Sequence, residues 1–268
     1  MKKETTSILV TGANGQLGLT IKELFEVNKH NIGFIFTTKS DLDITKLESL
    51  KGYFNKHNFD YCINCAAYTN VEQAEKTPDI AFKANAEGVK NLALVCEAYQ
   101  VTLIHISTDY VFDGEKTMPY TIDDIPNPIN EYGKSKLLGE QHIQHCATNY
   151  YIVRTSWLYS KTYGKNFYKF VLERAKQGKD LSITTEQTGC PTNTKDLATY
   201  LIGDIIKGDK AFGVYHFCNS KPMTWHTFAK DILKENKLLD KIKLVEVANY
   251  RTFAERPKYS VLEHTKST

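Results

Sequence analysis

The chain has 268 residues, of which 41% are hydrophobic and 24% charged, and its formal net charge is +3. This length allows one large or two modest domains with a proper core, and the composition is that of an ordinary globular protein. The small charge gives no argument for nucleic acid or a membrane as partner, and no apolar run has the length of a signal peptide or of a membrane span. We therefore expect a cytoplasmic protein.

The first element is a short apolar strand that runs directly into a glycine-rich loop. The sequence SILVTGANGQLGL over 7–19 contains a GxxGxxG pattern, and apolar residues then recur at helical spacing. A strand, a glycine loop and a helix N-terminus form an anion site because backbone N–H groups can approach a pyrophosphate. The alternative is a plain glycine turn, but the position in a strand–helix unit favours a dinucleotide site. The glycines expected to bind the cofactor here are Gly12, Gly15 and Gly18.

Strands and helices alternate through the first half of the chain. Further strands are predicted over 32–37, 60–66, 102–107 and 151–154, with helices between them and a long helical region over about 78–100. This alternation predicts a parallel sheet with helices on both faces. The predicted fold class is α/β, a Rossmann-type doubly wound parallel sheet with a smaller C-terminal α/β substrate-binding lobe.

The alternation stops between Val111 and Asn130, where three prolines and an Asp-Gly pair predict a long loop of the kind that is usually functional. The composition changes again beyond Trp157, where Tyr, Lys and Asn become frequent. No linker marks a boundary. The expected division is a dinucleotide-binding domain over 1–156, completed by about 182–212, and a substrate-binding lobe over 157–181 and 213–268.

The proposed chemistry depends on a Tyr-x-x-x-Lys pair that follows the proline-rich loop. Tyr132 and Lys136 are four residues apart at the start of a predicted helix, so they share one face. A free phenol has a pKa of about 10, and a nearby ammonium brings it towards the working range. Alone, this pattern is usually surface decoration. Thr108 ends the preceding strand, however, and together with the dinucleotide loop these residues supply the parts for hydride transfer.

In this scheme the cofactor gives hydride to a carbonyl carbon and Tyr132 gives a proton to the carbonyl oxygen. Thr108 fixes that oxygen by a hydrogen bond. Lys136 also binds the hydroxyls of the nicotinamide ribose.

The whole chain resembles the dTDP-4-dehydrorhamnose reductases, which are extended short-chain dehydrogenase/reductases. The motifs that carry the resemblance occur in the family's order: TGANGQLG, INCAAYTNV, STDYVFDG, YGKSK, VRTSWLY, GCPT, TWHTFA and RPKYSVL. The resemblance implies reduction of the 4-keto group of dTDP-4-dehydro-6-deoxy-L-mannose to dTDP-L-rhamnose. It also implies Tyr132 as the catalytic acid, with Lys136 and Thr108 as its partners.

The resemblance assigns further contacts by motif. In the glycine loop, Gly15, Gln16 and Leu17 correspond to the pyrophosphate site, and Asn14 is expected to bind the cofactor with them. Asp43 and Ile44 correspond to contacts on the adenine side of the cofactor. The small and polar residues after the third strand correspond to further cofactor contacts, and these are Ala66, Ala67, Tyr68 and Thr69. Thr108, Asp109 and Trp157 correspond to the sugar-nucleotide site, although without the resemblance Trp157 would be a core residue.

The region after the second strand favours NADPH over NADH. An NAD site usually has an acidic residue about 20 residues beyond the glycines, but here Lys39 and hydroxyl residues precede the first carboxylate, Asp41. A lysine and hydroxyls suit a 2′-phosphate, although NADH stays an alternative. Some relatives depend on magnesium, but no carboxylate cluster can be assigned to a metal ion, and the predicted site contains none.

Basic residues near the C-terminus are candidates for binding the substrate's diphosphate, and Arg256 is the one for which this is favoured over a solvated surface. Trp225 opens a helix and is interpreted as structural. The six cysteines, including Cys62-x-x-Cys65 in a predicted strand, are interpreted as free thiols rather than as a metal or redox site.

Two other functions remain open. The chain could reduce another nucleotide-linked 4-keto-6-deoxyhexose, or it could be a non-catalytic regulatory subunit like the β subunit of methionine adenosyltransferase, which resembles this family. An intact Tyr132, Lys136 and Thr108 argue against a purely regulatory role. The expected partner is a small nucleotide sugar, and a homodimer is left open.

Overall fold

A six-stranded parallel sheet forms the centre of the molecule in the computed structural model, which describes residues 5–25, 32–219, 221–248 and 250–264. The strand order is β2-β1-β3-β4-β5-β10, so the chain reverses its direction of winding beside β1. Ligands of open parallel sheets bind at such a reversal, outside the carboxyl ends of the strands. The strands of this sheet are β1 (Thr6–Thr11), β2 (Ile32–Thr37), β3 (Tyr61–Asn64), β4 (Thr102–Thr108), β5 (Tyr150–Thr155) and β10 (Gly213–Phe217).

Helices cover both faces of this sheet. On one face α2, α5 and α6 pack over a core that includes Leu50 and Leu92, and on the other α1 and α8 pack over a core that includes Ile21 and Leu197. The helices are α1 (Gln16–Phe25), α2 (Leu47–Phe54), α3 (Val71–Lys76), α4 (Pro78–Phe82), α5 (Gly88–Ala98), α6 (Glu131–Cys146), α7 (Phe167–Lys176), α8 (Thr194–Tyr200) and α9 (Trp225–Glu235). Single π-helical segments join α4 to α5 and extend α8.

The two-sided cover explains why the strands are apolar at successive positions instead of alternating. Ile8, Leu9 and Val10 in β1 are all fully buried. Consecutive strand residues point to opposite faces, so each face of β1 must be covered by helices. The α/β fold with a parallel sheet, which the sequence predicts, is confirmed.

A smaller lobe lies beyond the central sheet. Its core joins α7 and α9 to a two-stranded parallel sheet, with Val171, Ile183 and Ile232 among the buried residues. The short strands outside the central sheet are β6 (Leu158–Tyr159), β7 (Leu181–Thr184), β8 (Thr188–Gly189), β9 (Thr192–Asn193), β11 (Met223–Thr224) and β12 (Leu244–Val247). The predicted strand at 181–184 therefore exists, but it pairs within the lobe rather than completing the dinucleotide domain.

The expected lobe segment 213–268 is wrong at its first strand. β10 pairs with β5 along Gly213–Phe217 and forms the edge of the central sheet. A five-residue apolar strand carries no information about which sheet it joins, because that depends on the partner strand that tertiary packing offers. α8, in contrast, packs against α1 on one face of the central sheet.

Candidate active site

Two adjoining cavities, each of about 550 Å³, open at the carboxyl ends of β1, β3 and β4. The first, called here the Tyr132 cavity, is lined by Tyr132, Lys136 and Thr108. The second, the Ile44 cavity, is lined by residues that follow β2 and β3. They share Gly15, Cys65 and Ala67, so the glycine loop separates and also connects them.

Two glycines of this loop are required by close backbone contacts. Gly12 has φ of +64°, and a Cβ on it would lie 2.6 Å from the backbone nitrogen of Ala66. A Cβ on Gly18 would lie 2.6 Å from the Cα of Ala13. Without these side chains the loop lies close against β3 and the beginning of α1 stays open to the cavities. The loop therefore fits a dinucleotide pyrophosphate.

Gln16 links the glycine loop to the lobe. Its Nε2 donates to the carbonyl oxygen of Leu158 at 3.0 Å, and its Oε1 accepts from Asn166 Nδ2 at 3.1 Å. Asn166 also caps α7, since its Oδ1 accepts from the backbone N–H of Lys169. The side chain of Gln16 is thus used for joining two parts of the fold, and only its backbone is free to serve an anion.

The Ile44 cavity collects most of the other residues that the resemblance assigns to the cofactor. Asp41, the first carboxylate after β2, accepts from the backbone N–H and the hydroxyl of Thr38, so it closes its own turn. Lys39 instead lines the cavity. The predicted cofactor residues found here are Gly12, Asn14, Gly15, Lys39, Asp43, Ile44, Ala66, Ala67 and Tyr68, while Gln16, Leu17, Gly18 and Thr69 line the Tyr132 cavity.

Tyr132 is positioned by the tight start of α6. Asn130 caps the helix by accepting from the backbone N–H of Gly133 at 2.7 Å. A Cβ on Gly133 would lie 2.1 Å from the carbonyl oxygen of Tyr110, so only glycine allows the helix to approach the end of β4. Tyr132 consequently shares a hydrogen bond with Thr108 inside the cavity.

Lys136 lies on the same cavity wall but is held by β4. Its Nζ donates to the carbonyl oxygen of Ile106 at 2.7 Å and lies 3.1 Å from His105 Nε2, and the residue is 1% exposed. Burial disfavours the ammonium and lowers the pKa of Lys136 to about 8. Burial also raises the pKa of Tyr132 to about 12, which the hydrogen bond with Thr108 only partly offsets. Both shifts are opposite in direction to those expected for a charged Lys136 that brings the pKa of Tyr132 towards neutral pH.

Thr108 and Asp109 join β4 to β5 at the cavity floor. Thr108 Oγ1 donates to Asp109 Oδ1 at 3.1 Å, and Ser156 Oγ donates to Asp109 Oδ2 at 2.8 Å. Burial raises the pKa of Asp109 to about 6, against these hydrogen bonds, which favour the carboxylate. Thr155 also lines the cavity, and its Oγ1 has no hydrogen-bond partner among the described residues. The sequence analysis overlooked Thr155, although it precedes the quoted SW pair.

Two stacked tryptophans form the wall on the lobe side. Trp157 has φ of +46° and stacks on Trp225, with ring centroids 3.5 Å apart and planes at 5°. The indole N–H of Trp225 donates to Gln187 at 2.9 Å. Trp225 therefore lines the cavity, a position that its interpretation as a structural residue missed. The GCPT motif relates to the neighbouring ring: a Cβ on Gly189 would lie 2.5 Å from the Trp157 ring, so the glycine makes room for it.

Arg256 lies outside the Tyr132 cavity. Its Nη2 donates to Glu72 at 2.5 Å, and it lines a third cavity of about 380 Å³ that shares Trp225 with the first. The Nε of Arg256 has no hydrogen-bond partner within the described part of the chain.

The cysteines and metal-binding side chains are dispersed. Cys62 is a buried free thiol, while Cys65 lies beyond the end of β3, not within the strand as predicted, and faces both cavities. Over residues 5–25, 32–219, 221–248 and 250–264, no group of three or more His, Cys, Asp or Glu side chains is arranged to hold a metal ion. None of the described helices is both long and apolar enough for a membrane span.

Comparison with known proteins identifies the family. The family model described as "RmlD substrate binding domain" matches residues 6–268. A dTDP-4-dehydrorhamnose reductase from Aggregatibacter actinomycetemcomitans is 37% identical, with 97% of this chain and 91% of the relative covered. The corresponding protein of Escherichia coli is 32% identical, with 97% and 90% covered.

Solved structures agree with this result. The structure of dTDP-4-dehydrorhamnose reductase from Bacillus anthracis in complex with NADP is 37% identical, covers 97% of this chain and 91% of its own, and has a TM-score of 0.92. A second reductase structure, from Clostridium acetobutylicum, is 39% identical over 97% of this chain and 90% of its own, with a TM-score of 0.90. The resemblance noted in the sequence is thus confirmed, and the chain belongs to the RmlD substrate binding domain family.

Proposed function

We propose that this protein catalyses the NADPH-dependent reduction of the 4-keto group of dTDP-4-dehydro-6-deoxy-L-mannose to give dTDP-L-rhamnose. The observation that carries the proposal is the Tyr132 cavity, where Tyr132, Lys136 and Thr108 line one space with the glycine loop. Relatives named dTDP-4-dehydrorhamnose reductase, at 32–37% identity over nearly the whole chain, support the choice of substrate.

The residues of the cavity have separate roles in this reaction. When bound, NADPH supplies a hydride for the carbonyl carbon. Thr108 orients the carbonyl oxygen with its hydroxyl, and Tyr132 donates the phenolic proton to that oxygen as the carbon accepts the hydride. The phenolate that remains recovers a proton from water. Lys136 stabilises this phenolate when it carries a positive charge.

The cofactor is assigned to the two adjoining cavities. The glycine loop and the first turn of α1 would hold the diphosphate, and Asp43 and Ile44 would line the adenine side. Lys39 would contact a 2′-phosphate, which supports NADPH over NADH, and the Bacillus anthracis relative was solved with NADP. Comparing the dissociation constants of the two cofactors tests the preference, and equal or tighter binding of NADH would contradict it.

The substrate is assigned to the side of the cavity that faces the lobe. Asp109 and Trp157 would contact the sugar, and Arg256 would contact the diphosphate through the cavity beyond Trp225. The scheme assigns no residue to magnesium. We place the reaction in the cytoplasm, and light scattering can decide between a monomer and a homodimer.

A second candidate keeps the chemistry and changes the sugar. A dTDP-4-keto-6-deoxy-D-glucose reductase from Streptomyces niveus is 34% identical over 96% of this chain, so the family includes reductases of other 4-keto-6-deoxyhexoses. A non-catalytic regulatory subunit is the third possibility, and the complete set of Tyr132, Lys136 and Thr108 argues against it.

One coupled assay separates these functions. The keto-sugar is generated in situ, NADPH oxidation is followed by absorbance, and the product sugar is identified by NMR. We expect oxidation that requires the keto-sugar, with dTDP-L-rhamnose as product. A product of another configuration would favour the second candidate, and oxidation no faster than without enzyme would favour the regulatory subunit.

A further inference from the structure

A buried hydrogen-bond chain connects the end of β1 to Lys136. Thr11 Oγ1 donates to Asn64 Oδ1 at 2.6 Å, Asn64 Nδ2 lies 3.0 Å from His105 Nδ1, and His105 Nε2 lies 3.1 Å from Lys136 Nζ. Asn64, His105 and Lys136 are each no more than 1% exposed. Because Asn64 and His105 are shielded from water, their polar atoms must find hydrogen-bond partners within the protein.

The orientation of the Asn64 amide is fixed by its neighbour in the backbone. The N–H of Ala66 lies 3.2 Å from Asn64 Oδ1, and a backbone N–H can only donate. A flipped amide would place its NH₂ group against this N–H, donor against donor. Oδ1 therefore faces Ala66, and Nδ2 faces His105 as a donor.

This orientation selects one tautomer of His105. Burial lowers the pKa of His105 well below its usual range, so the imidazole is neutral and carries one proton. Its Nδ1 accepts from Asn64 and must be the unprotonated nitrogen. The proton is therefore on Nε2, and this N–H points at Lys136 Nζ.

An ammonium and this N–H cannot form a hydrogen bond, because both are donors. A neutral amine can accept from Nε2–H with its lone pair while it donates to the carbonyl oxygen of Ile106 at 2.7 Å. Burial alone lowers the pKa of Lys136 to about 8. An N–H directed at the nitrogen lone pair favours the amine over the ammonium in the same direction as burial does.

The other groups around Lys136 do not restore the ammonium. Glu140, one turn along α6, raises the pKa of Lys136, but Arg154 of β5 pairs with it at 2.7 Å and the effect of burial is larger. Cys65, beyond β3, is a neutral thiol because burial raises its pKa. Tyr132, on the same helix, is also neutral at physiological pH.

We propose that Asn64 and His105 are positioning residues that hold Lys136 as a neutral amine in the ligand-free protein, and that Lys136 takes up a proton from water when negative charge enters the cavity with the cofactor. The second half rests on the proposed function. Its consequence is that Tyr132 becomes a stronger acid only in the cofactor complex, which protects the proton donor from premature ionisation.

Nitrogen NMR of the ligand-free full chain tests the first half. We expect His105 to show an unprotonated Nδ1 and a protonated Nε2, and Lys136 Nζ to titrate with a pKa lowered to about 8. A protonated Nδ1, or a pKa of Lys136 near the value of about 10.4 for a free lysine, would overturn the proposal. The wild-type spectrum decides this by itself, independently of any substrate.

Two variants sharpen the measurement. Asn64→Asp replaces the donor that faces His105 by an acceptor, so the proton should move to Nδ1 and the pKa of Lys136 should rise by at least about one unit. Thr11→Val is the matched control: it removes one hydrogen bond to Asn64 but leaves the Ala66 N–H that orients the amide, so the tautomer should not change. A change of tautomer in Thr11→Val, or none in Asn64→Asp, would contradict the assignment.

Calorimetry tests the second half. NADPH is titrated into the full chain at pH 8 in two buffers that differ in ionisation enthalpy, and the difference in heat gives the number of protons taken up. Because a group with a pKa of about 8 is half protonated at this pH, we expect an uptake approaching about half a proton per NADPH, reduced in Asn64→Asp. Binding without uptake would refute the charging of Lys136, whereas absence of NADPH binding would instead contradict the proposed function.

Discussion

Two buried ionisable side chains on successive turns of α6 differ in the partners that surround them. Glu140 accepts hydrogen bonds from Ser107 and, at 2.7 Å, from Arg154 Nη2, so its charge is matched by a guanidinium. Lys136, four residues earlier, faces a backbone carbonyl and an imidazole instead. A buried charge with a partner stays ionised, whereas one without a partner titrates nearer to neutral pH. The comparison separates a charge that holds the fold from one that is available for proton chemistry.

The largest expected effect concerns Tyr132, the proposed proton donor, which lies one turn before Lys136 on α6. Tyr132→Phe should lower kcat by about 10²–10⁴, or about 3–5 kcal/mol of transition-state stabilisation, because the proton donor is lost. NADPH binding should be largely unchanged. Steady-state kinetics with fluorescence titration of the cofactor measures both, and near wild-type turnover would remove Tyr132 from the mechanism.

Loss of the buried Glu140–Arg154 ion pair should lower the stability of the fold. Arg154→Met leaves Glu140 buried without its cation, which should cost about 3–5 kcal/mol in the free energy of unfolding. Urea denaturation of the variant and the wild type gives the difference. Arg154→Met combined with Glu140→Gln is the matched control and should recover much of the loss. If the single variant lost less than about 1 kcal/mol, the pair would not be the structural charge described here.

Lys136 should contribute to the pH dependence of stability. The pKa of Lys136 is lowered from 10.5 to about 8 in the folded chain, so the unfolded chain binds more protons between these values. The contribution of Lys136 to stability therefore rises with pH across that window, by up to about 3 kcal/mol. Lys136→Met should lack this contribution. Identical pH profiles of wild type and Lys136→Met in urea denaturation would contradict the lowered pKa.

The smallest expected effect belongs to the hydroxyl beside Tyr132. Thr108→Val keeps the shape of the side chain but removes the donor to the carbonyl oxygen, so kcat should fall by about 10- to 100-fold. Thr155→Val is a useful comparison at the same cavity wall, since its hydroxyl has no hydrogen-bond partner within the described residues. An effect on KM alone in Thr108→Val would assign the hydroxyl to substrate binding rather than to the transition state.

Much of the dinucleotide domain and its site could be predicted from the sequence because the signals are local. The glycine loop depends on close backbone contacts that only glycine allows, as Gly12 and Gly18 show. The shared wall of Tyr132 and Lys136 follows from the helical period, and the predicted strand at 32–37 agrees with β2.

The remaining features depend on contacts between distant segments. β10 joins the central sheet because β5 offers an edge, which a short apolar strand cannot reveal. Trp225 reaches the cavity by stacking on Trp157 across 68 positions, and Arg256 is drawn to Glu72. No sequence pattern within these segments predicts such contacts.

The amino-acid sequence by itself determined the order of the strands and helices along the chain, the close glycine loop and the pairing of Tyr132 with Lys136 on one helix face, since each depends on residues within one or two turns of the chain. The tertiary structure alone decided the protonation chemistry of Lys136. Burial against β4 removes water and supplies His105 and the Ile106 carbonyl in its place. The free energy of a charge depends on everything that surrounds it, and the surroundings of Lys136 come from β4, from β5, from α6 and from the segment that follows β3.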